Sequence, residues 1–201
     1  MNISLALITT GLLFFAAESV PGPELDHEAG RGGSEGTIID FSNTPAAAWE
    51  IVNDSVMGGI SRSAFQLHDD GYAIFSGTVS LEFNGGFASV RARTRTPADL
   101  SGFEGFSVRV LGDGKTYSLR IKTVENGRLT RYSYEARFET KAGEWQTHKL
   151  PYSDFKPVFR GRNVRGNPVL NTGAIAEIGF MISDGQEGDF RLAVSELAVF
   201  R

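Results

Sequence analysis

Two glycine-paired turns hold the residues of this sequence that are best suited to chemistry. The first turn runs from Asn53 to Arg62, and the second is centred on Asn84, with Arg91 shortly after it. Asn, Asp and Ser side chains bond their own backbone in turns, and they also offer amide, carboxylate and hydroxyl groups to a ligand. For the Asn53-Asp54 pair both roles, backbone capping and ligand contact, stay open. Neither turn contains an obvious catalytic group, so the turns favour recognition over catalysis.

We predict a ligand-binding or partner-binding cleft formed by the two turns and the loop that contains Arg160. Loops on a rigid scaffold are the usual position of recognition residues. The predicted site residues are Asn53, Asp54, Ser61, Arg62, Asn84, Gly85, Gly86, Arg91 and Arg160.

The remaining candidates for catalysis or metal binding are weak. The three histidines, His27, His68 and His148, are isolated and lack metal-ligand spacing, and no Gly-x-Ser-x-Gly turn occurs. Cysteine is absent, which excludes disulfides and thiol catalysis. Asp40 and Glu196 would meet if the first and last strands pair, as calcium ligands or as exposed acids. We therefore predict no enzyme, no cofactor and no metal among the site residues.

Basic side chains recur on one face of several predicted strands. In the segments 88–93, 117–122 and 134–138, apolar residues alternate with polar ones that include Arg91, Arg120, Lys122 and Arg137. If these strands are neighbours, their polar faces form one cationic surface. That surface is either the solvated side of an antiparallel sheet or a binding face for an acidic or polyhydroxylated ligand.

A second basic cluster follows Leu150, where the strand pattern breaks. Residues 151–166 read as a long, structured loop, with its aromatic residues as anchors and with Arg160, Arg162 and Arg165. The cluster is either solvated or forms an anion-contacting rim, because the guanidinium fork suits carboxylate and phosphate groups.

These residues must be positioned by an all-β domain. The 201 residues include 41% apolar and 22% charged residues, with 24 Gly and 15 Phe, which is typical of one β-rich domain with tight turns. The formal charge of -4 argues against a nucleic-acid binder.

Short alternating segments predict an antiparallel sandwich or jelly roll. The predicted strands are Thr37–Phe41, Trp49–Val52, Ile60–His68, Tyr72–Glu82, Phe87–Thr94, Gly105–Leu111, Thr116–Val124, Thr130–Phe138, Glu144–Leu150, Ile175–Ile182 and Phe190–Phe200.

The amino-terminal region divides into a leader and a linker. Residues 1–19 contain a short apolar run followed by small residues, which predicts a secretory signal peptide, with an uncleaved anchor as the alternative. Residues 20–36 have flexible-linker composition, so the single domain is predicted to span 37–201 and to be monomeric. The predicted location is exported, periplasmic or extracellular.

Four motifs in order resemble the complex I intermediate-associated protein family. They are VNDSVMGGIS at 52–61, FSG at 75–77, NGGFASVR at 84–91, and YSDF at 152–155 with RG at 160–161. The resemblance implies a jelly-roll β-sandwich like galactose-binding domains and carbohydrate-binding modules. It also implies a binding role, since the mitochondrial members assist complex I assembly without known catalysis.

The predicted function is therefore that of a non-catalytic exported protein that binds a protein partner and assists assembly of a membrane complex. The alternative is a carbohydrate-binding module that holds a glycan on its sheet face or loop rim. Aromatic platforms distinguish the two, because glycan binders stack sugars on exposed aromatic rings. Only Trp49, Trp145 and a few Tyr residues are available for that purpose.

Overall fold

The computed structural model describes residues 35–41 and 48–201, all of which lie in one compact unit. The predicted signal peptide and most of the predicted linker lie outside these residues. Fourteen strands form the described part of the chain. They are β1 Glu35–Asp40, β2 Trp49–Ile51, β3 Arg62–His68, β4 Tyr72–Val79, β5 Ala88–Ala98, β6 Gly105–Leu111, β7 Thr116–Glu125, β8 Arg128–Leu129, β9 Ser133–Glu139, β10 Trp145–Pro151, β11 Lys156–Phe159, β12 Arg162–Asn163, β13 Ile175–Ile182 and β14 Gly188–Phe200.

The strands form two sheets of a sandwich, which confirms the predicted all-β fold class. The first sheet has the order β10-β6-β14-β4-β3, with β1 also paired to β14. The second sheet has the order β12-β11-β9-β7-β13-β5-β2, with β8 also paired to β7. Neighbouring strands run antiparallel in both sheets of the described region.

The core lies between the two sheets and is built from the alternating apolar residues. Phe106 and Val108 of β6 are fully buried, as are Leu119 and Ile121 of β7. Successive side chains on a strand point to opposite faces, so the residues between them project outward. The outward residues of the second sheet include the arginines and the lysine of the predicted cationic face.

An aromatic cluster closes the core beside the first Gly-Gly turn. The Trp49 ring lies 4.7 Å from the Phe65 ring and 5.7 Å from the Phe41 ring, measured between centroids. Trp49 is buried and anchors the chain just before the turn. The cluster fixes where the chain leaves β2 and enters the turn.

Two segments differ from the sequence-based prediction. Residues 156–163 were predicted to be a loop, but they form the β11–β12 hairpin with a two-residue turn at Arg160-Gly161, where φ is 50° and 73°. Pro157 within β11 hid this strand, because proline lowers strand propensity. At the other end, β1 begins at Glu35, so the last two residues of the predicted linker pair with Phe200 and Val199 of β14.

Candidate functional site

The two Gly-Gly turns are joined by one buried carboxylate, that of Asp54. Asp54 begins the 3-10 turn Asp54–Met57 and is fully buried. Its carboxylate accepts hydrogen bonds from the Ser61 amide at 2.9 Å, from the Ser61 hydroxyl, from the Gly86 amide at 2.7 Å and from the Phe87 amide at 3.3 Å. We call this arrangement the Asp54 clamp. Because its oxygens are occupied by internal donors, the geometry favours the structural role of Asp54 over ligand contact.

The donors around Asp54 also keep it ionised. Burial on its own raises the pKa of the Asp54 carboxyl, but the bonds from Ser61, Gly86 and Phe87 outweigh that effect and leave the pKa below its usual value of 3.8. A charged carboxylate forms stronger hydrogen bonds than a neutral group. The clamp is therefore strong at neutral pH.

Each turn uses its two glycines for two different purposes. Gly58 and Gly86 have φ values of 94° and 127°, in the left-handed region that glycine adopts without steric cost. Gly59 and Gly85 instead allow close approach to the clamp. An added Cβ would lie 2.4 Å from the Asp54 Cγ at Gly59 and 2.7 Å from its Oδ2 at Gly85.

Of the other predicted site residues, three lie outside the groove described below and four line it. Asn53 is half-buried and accepts a hydrogen bond from the Ser63 hydroxyl at 2.8 Å, so it braces β3. Arg62 and Asn84 are exposed. Gly85, Gly86, Arg91 and Arg160 line a groove on the outer face of the second sheet.

The clamped turns also display apolar side chains to solvent. We call these residues the apolar rim: Val56, Met57, Ile60, Leu81 and Phe83. Val56 and Phe83 are the most exposed of them, at 69% and 67%. Phe83 has a left-handed backbone, with φ of 54° and ψ of 36°, which costs an aromatic residue about 1–2 kcal/mol. The rim was not predicted from the sequence, because apolar residues beside strands read as core.

The groove has a volume of about 650 Å³ and crosses the second sheet between the first turn and the β11–β12 hairpin. Val56 and Met57 form one wall, and Phe159 and Arg160 form the other. Gly179 of β13 lies on its floor, directly between Arg91 of β5 and Arg120 of β7. A Cβ at Gly179 would lie 2.2 Å from the Val90 carbonyl oxygen, so this position needs glycine. No side chain therefore rises from the floor of the groove at this point.

Six cations and three carboxylates line this groove. The cations are Arg91, Arg120, Lys122, Arg131, Arg137 and Arg160, and the carboxylates are Glu135, Glu177 and Asp184. The predicted cationic face therefore exists, since β5, β7 and β9 share one sheet. The sequence predicted the strand that becomes β13 but not its place between β5 and β7, where it adds Glu177 and Gly179 to the face.

The carboxylates are already paired with arginines. Glu177 contacts Arg91 at 3.8 Å and Arg93 at 2.6 Å. Glu135 contacts Arg120 at 3.8 Å and Arg137 at 3.0 Å. Each of these two buried acids thus has two cationic neighbours.

Three cations of the groove have no such partner. Within residues 35–41 and 48–201, the side chains of Lys122, Arg131 and Arg160 make no hydrogen bond or ion pair, although Arg160 lies over the Phe159 ring at 5.5 Å. Lys122 is half-buried. Burial lowers the pKa of Lys122, Glu177 opposes that shift, and the nearby arginines add to it. Lys122 and Arg131 were absent from the predicted site, although Lys122 was part of the predicted face.

Asp40 and Glu196, which the sequence suggested as possible calcium ligands, are paired across β1 and β14. A carboxylate oxygen of Glu196 accepts a hydrogen bond from the Thr37 hydroxyl at 3.0 Å. In the described part of the chain, no group of three or more His, Cys, Asp or Glu residues is arranged to hold a metal ion. The same part contains no helix long and apolar enough to span a membrane.

Solved structures with this fold include carbohydrate-binding modules. The family 11 module of the cellulase Lic26A-Cel5E of Clostridium thermocellum is 16% identical, with a TM-score of 0.64 over 83% of this chain and 94% of that chain. An agarase, AgWH50C, matches 84% of this chain but only 25% of its own length, with a TM-score of 0.56 and 12% identity. At such low identity these similarities show the fold alone.

Curated relatives show closer similarity in sequence. A probable complex I intermediate-associated protein 30, mitochondrial, of Caenorhabditis elegans is 28% identical over 76% of this chain and 50% of its own length. Complex I intermediate-associated protein 30, mitochondrial, of Mus musculus is 29% identical over 76% of this chain and 52% of its own length. An uncharacterized protein of Schizosaccharomyces pombe is 30% identical over 74% of this chain and 76% of its own length. The chain thus spans about half the length of the worm and mouse relatives.

These names correct the predicted location. The prediction of an exported, periplasmic or extracellular protein is wrong, because the relatives are named as mitochondrial proteins. The apolar run in residues 1–19 misled the prediction, since hydropathy measures preference for a membrane and does not specify which membrane. The profile of complex I intermediate-associated protein 30 matches residues 39–194. The chain belongs to the complex I intermediate-associated protein 30 family.

Proposed function

We propose that this chain is a non-catalytic protein-binding member of its family that associates with an assembly intermediate of complex I. The groove and the apolar rim form its binding surface. The observation that carries this proposal is the rim itself: five exposed apolar side chains on two turns that one buried carboxylate holds together.

The composition of this surface is that of a protein interface. Of the eight large apolar side chains exposed in the described residues, five belong to the rim. Exposed apolar groups that cluster beside polar ones mark protein–protein contacts, and arginine is enriched in such contacts. The Asp54 clamp holds the turns rigid before binding, which lowers the entropic cost of association.

The glycan alternative has less support. The lining of the groove contains Phe87, Phe159 and Phe180 but no tryptophan or tyrosine. Trp49 is buried in the core, and Trp145 is on β10 of the other sheet. Sugar-binding faces generally stack rings on exposed aromatic platforms, so this lining supports a protein partner.

The test uses mitochondria from cells that lack their own family member. The full chain is expressed there, and the amount of mature complex I is measured by native gel electrophoresis. We expect the wild type to restore complex I and the rim double variant Val56→Ser/Phe83→Ser to fail while it melts at the wild-type temperature. Val169→Ser, which changes an even more exposed apolar residue outside the rim and the groove, is the matched control. Full restoration by the rim variant would contradict the proposal.

A further inference from the structure

We infer that the groove binds an extended acidic segment of the partner protein, whose carboxylates contact Lys122, Arg131 and Arg160. This inference rests on the proposed function and specifies the chemistry of the partner. It follows from three properties of the groove: its charge, the state of its unpaired cations, and its length.

The charge of the groove is opposite to that of the whole chain. The formal net charge of the protein is -4, yet the groove is lined by twice as many cations as carboxylates. The two buried carboxylates, Glu135 and Glu177, are saturated by arginines. The excess positive charge is therefore available to an anionic ligand, and a concave site with charge of one sign concentrates ligands of the opposite sign.

The unpaired cations are arranged for carboxylates. An ammonium group carries three donors, and a half-buried one without an acceptor loses hydrogen bonds to water that no protein group replaces. Lys122 is in that state beside the groove floor. Arg131 and Arg160 are exposed, and each offers a planar fork that binds a carboxylate with two hydrogen bonds. A carboxylate near Lys122 would supply the missing acceptor.

The cross-strand register indicates the length of the segment. One row of paired residues crosses the sheet from β2 to β11, in the order Glu50, Arg91, Gly179, Arg120, Glu135 and Lys156. Strands lie about 4.8 Å apart, so this row spans about 24 Å, which about seven residues of extended chain cover at about 3.3 Å each. Gly179 leaves space for the backbone of the segment at its centre. The walls at Val56 and Phe159 leave apolar contacts for its two ends.

A protein segment fits these features better than a nucleic acid does. Phosphates are closely and regularly spaced along a nucleic acid, so several of them would meet Glu135, Glu177 and Asp184 as well as the cations. A peptide can place its carboxylates only where the unpaired cations are. The mixed charge of the lining therefore favours widely spaced acids between neutral residues.

The test is a binding titration of the full chain with a fluorescent seven-residue peptide that carries three glutamates between apolar ends. The matched peptide has glutamine at the three positions. We expect the glutamate peptide to bind at least about tenfold more tightly, with the difference shrinking as salt rises towards about 0.15 M. Equal binding of the two peptides, or no binding of either, would overturn the inference.

Variants locate the binding site. The triple variant Lys122→Gln/Arg131→Gln/Arg160→Gln should bind the glutamate peptide at least about tenfold more weakly. It should melt near the wild-type temperature, because these cations form no ion pair with the residues that the structure describes. Arg128→Gln is the control, since Arg128 is exposed and outside the groove lining. Equal loss in the control places the binding elsewhere. Tighter binding of a single-stranded oligonucleotide of the same charge would assign the groove to nucleic acid instead.

The same triple variant separates this inference from the proposed function. In mitochondria that lack their own family member, it should restore complex I poorly, as the rim variant does. If the triple variant restores complex I fully while the rim variant fails, the acidic segment is disproved and the proposed function stands. If both variants restore complex I fully, both proposals fail.

Discussion

The Asp54 carboxylate accepts a hydrogen bond from the Gly86 amide at 2.7 Å, although the two residues are 32 positions apart in the chain. This bond links the turn after β2 to the turn before β5. Gly59 and Gly85 complete the contact, since an added Cβ at Gly59 would lie 2.8 Å from the Gly85 Cα. The relationship makes the two turns one rigid unit, and the apolar rim is displayed on that unit.

Replacing Asp54 by Asn should destabilise the fold. The amide of asparagine keeps the shape of the carboxylate, but it loses the charge, and in either orientation its NH2 group faces a backbone N–H, that of Ser61 or those of Gly86 and Phe87. We expect the free energy of unfolding to fall by about 2–3 kcal/mol, measured by urea denaturation. Glu82→Gln, an exposed acid on the second turn, should leave the midpoint unchanged. An Asp54→Asn protein as stable as the wild type would show that the clamp contributes little.

The glycines should differ in what they tolerate. Gly59→Ala places a methyl group against the Asp54 carboxylate and should cost about 1–3 kcal/mol of folding free energy. Gly58→Ala faces open space and should cost only the left-handed strain, about 1 kcal/mol. Thermal melts of both variants, with Gly102→Ala as the unstrained control, check this order. A larger loss at Gly58 than at Gly59 would contradict it.

Arg91 and Arg160, both predicted site residues, should respond differently to alanine. Arg91 pairs with Glu50 at 3.0 Å and contacts Glu177, so its removal should lower stability by about 1–2 kcal/mol, since Glu177 keeps Arg93 as a partner. In the described region the Arg160 side chain makes one contact of this kind, its stacking on Phe159, so Arg160→Ala should melt near the wild-type temperature. Melting curves of the two variants test this, and equal destabilisation would argue that Arg160 braces the hairpin.

Replacing Phe83 by Asn should raise the stability of the fold but weaken the proposed function. Asparagine tolerates the left-handed backbone that Phe83 adopts, so Phe83→Asn should raise the free energy of unfolding by about 0.5–1 kcal/mol. The same variant removes the exposed ring and should lower the recovery of complex I in deficient mitochondria. Phe159→Asn, also exposed but in the turn-flanking strand β11 with ordinary strand geometry, should show no gain in stability. A destabilised Phe83→Asn protein would mean that the ring packs on the domain.

His148 should make stability depend on pH near neutrality. Its Nε2 is buried without a hydrogen-bond partner in the described region, and burial lowers the pKa of His148 below its usual 6.5. As pH falls through about 6.5, the unfolded chain therefore takes up a proton before the folded chain does, and stability decreases. His148→Phe should flatten the dependence of the melting temperature on pH between pH 7 and pH 5. If the melting temperature of His148→Phe depends on pH as that of the wild type does, His148 is not the cause of the pH dependence.

The local pattern of the sequence was enough to determine the fold class and most of its strands. Alternation of apolar and polar residues defines a strand and its buried face, as in Phe106, Val108 and Val110, because successive side chains point to opposite sides. Glycine pairs marked the left-handed turn residues, because only glycine adopts that backbone without cost. The hairpin at residues 156–163 was missed, since Pro157 obscured its local signal.

The binding surface depended on tertiary structure. Strand pairing places β13 between β5 and β7, and this brings Glu177 and Gly179 among arginines that are far from them in the chain. No local period encodes which strands become neighbours, because that choice depends on the packing of the whole core. For the same reason the sequence could identify Asp54 as a turn residue but not as a buried acceptor for Gly86. The residue types that recognise a partner are thus set by the sequence, whereas long-range pairing decides which of them stay free to do so.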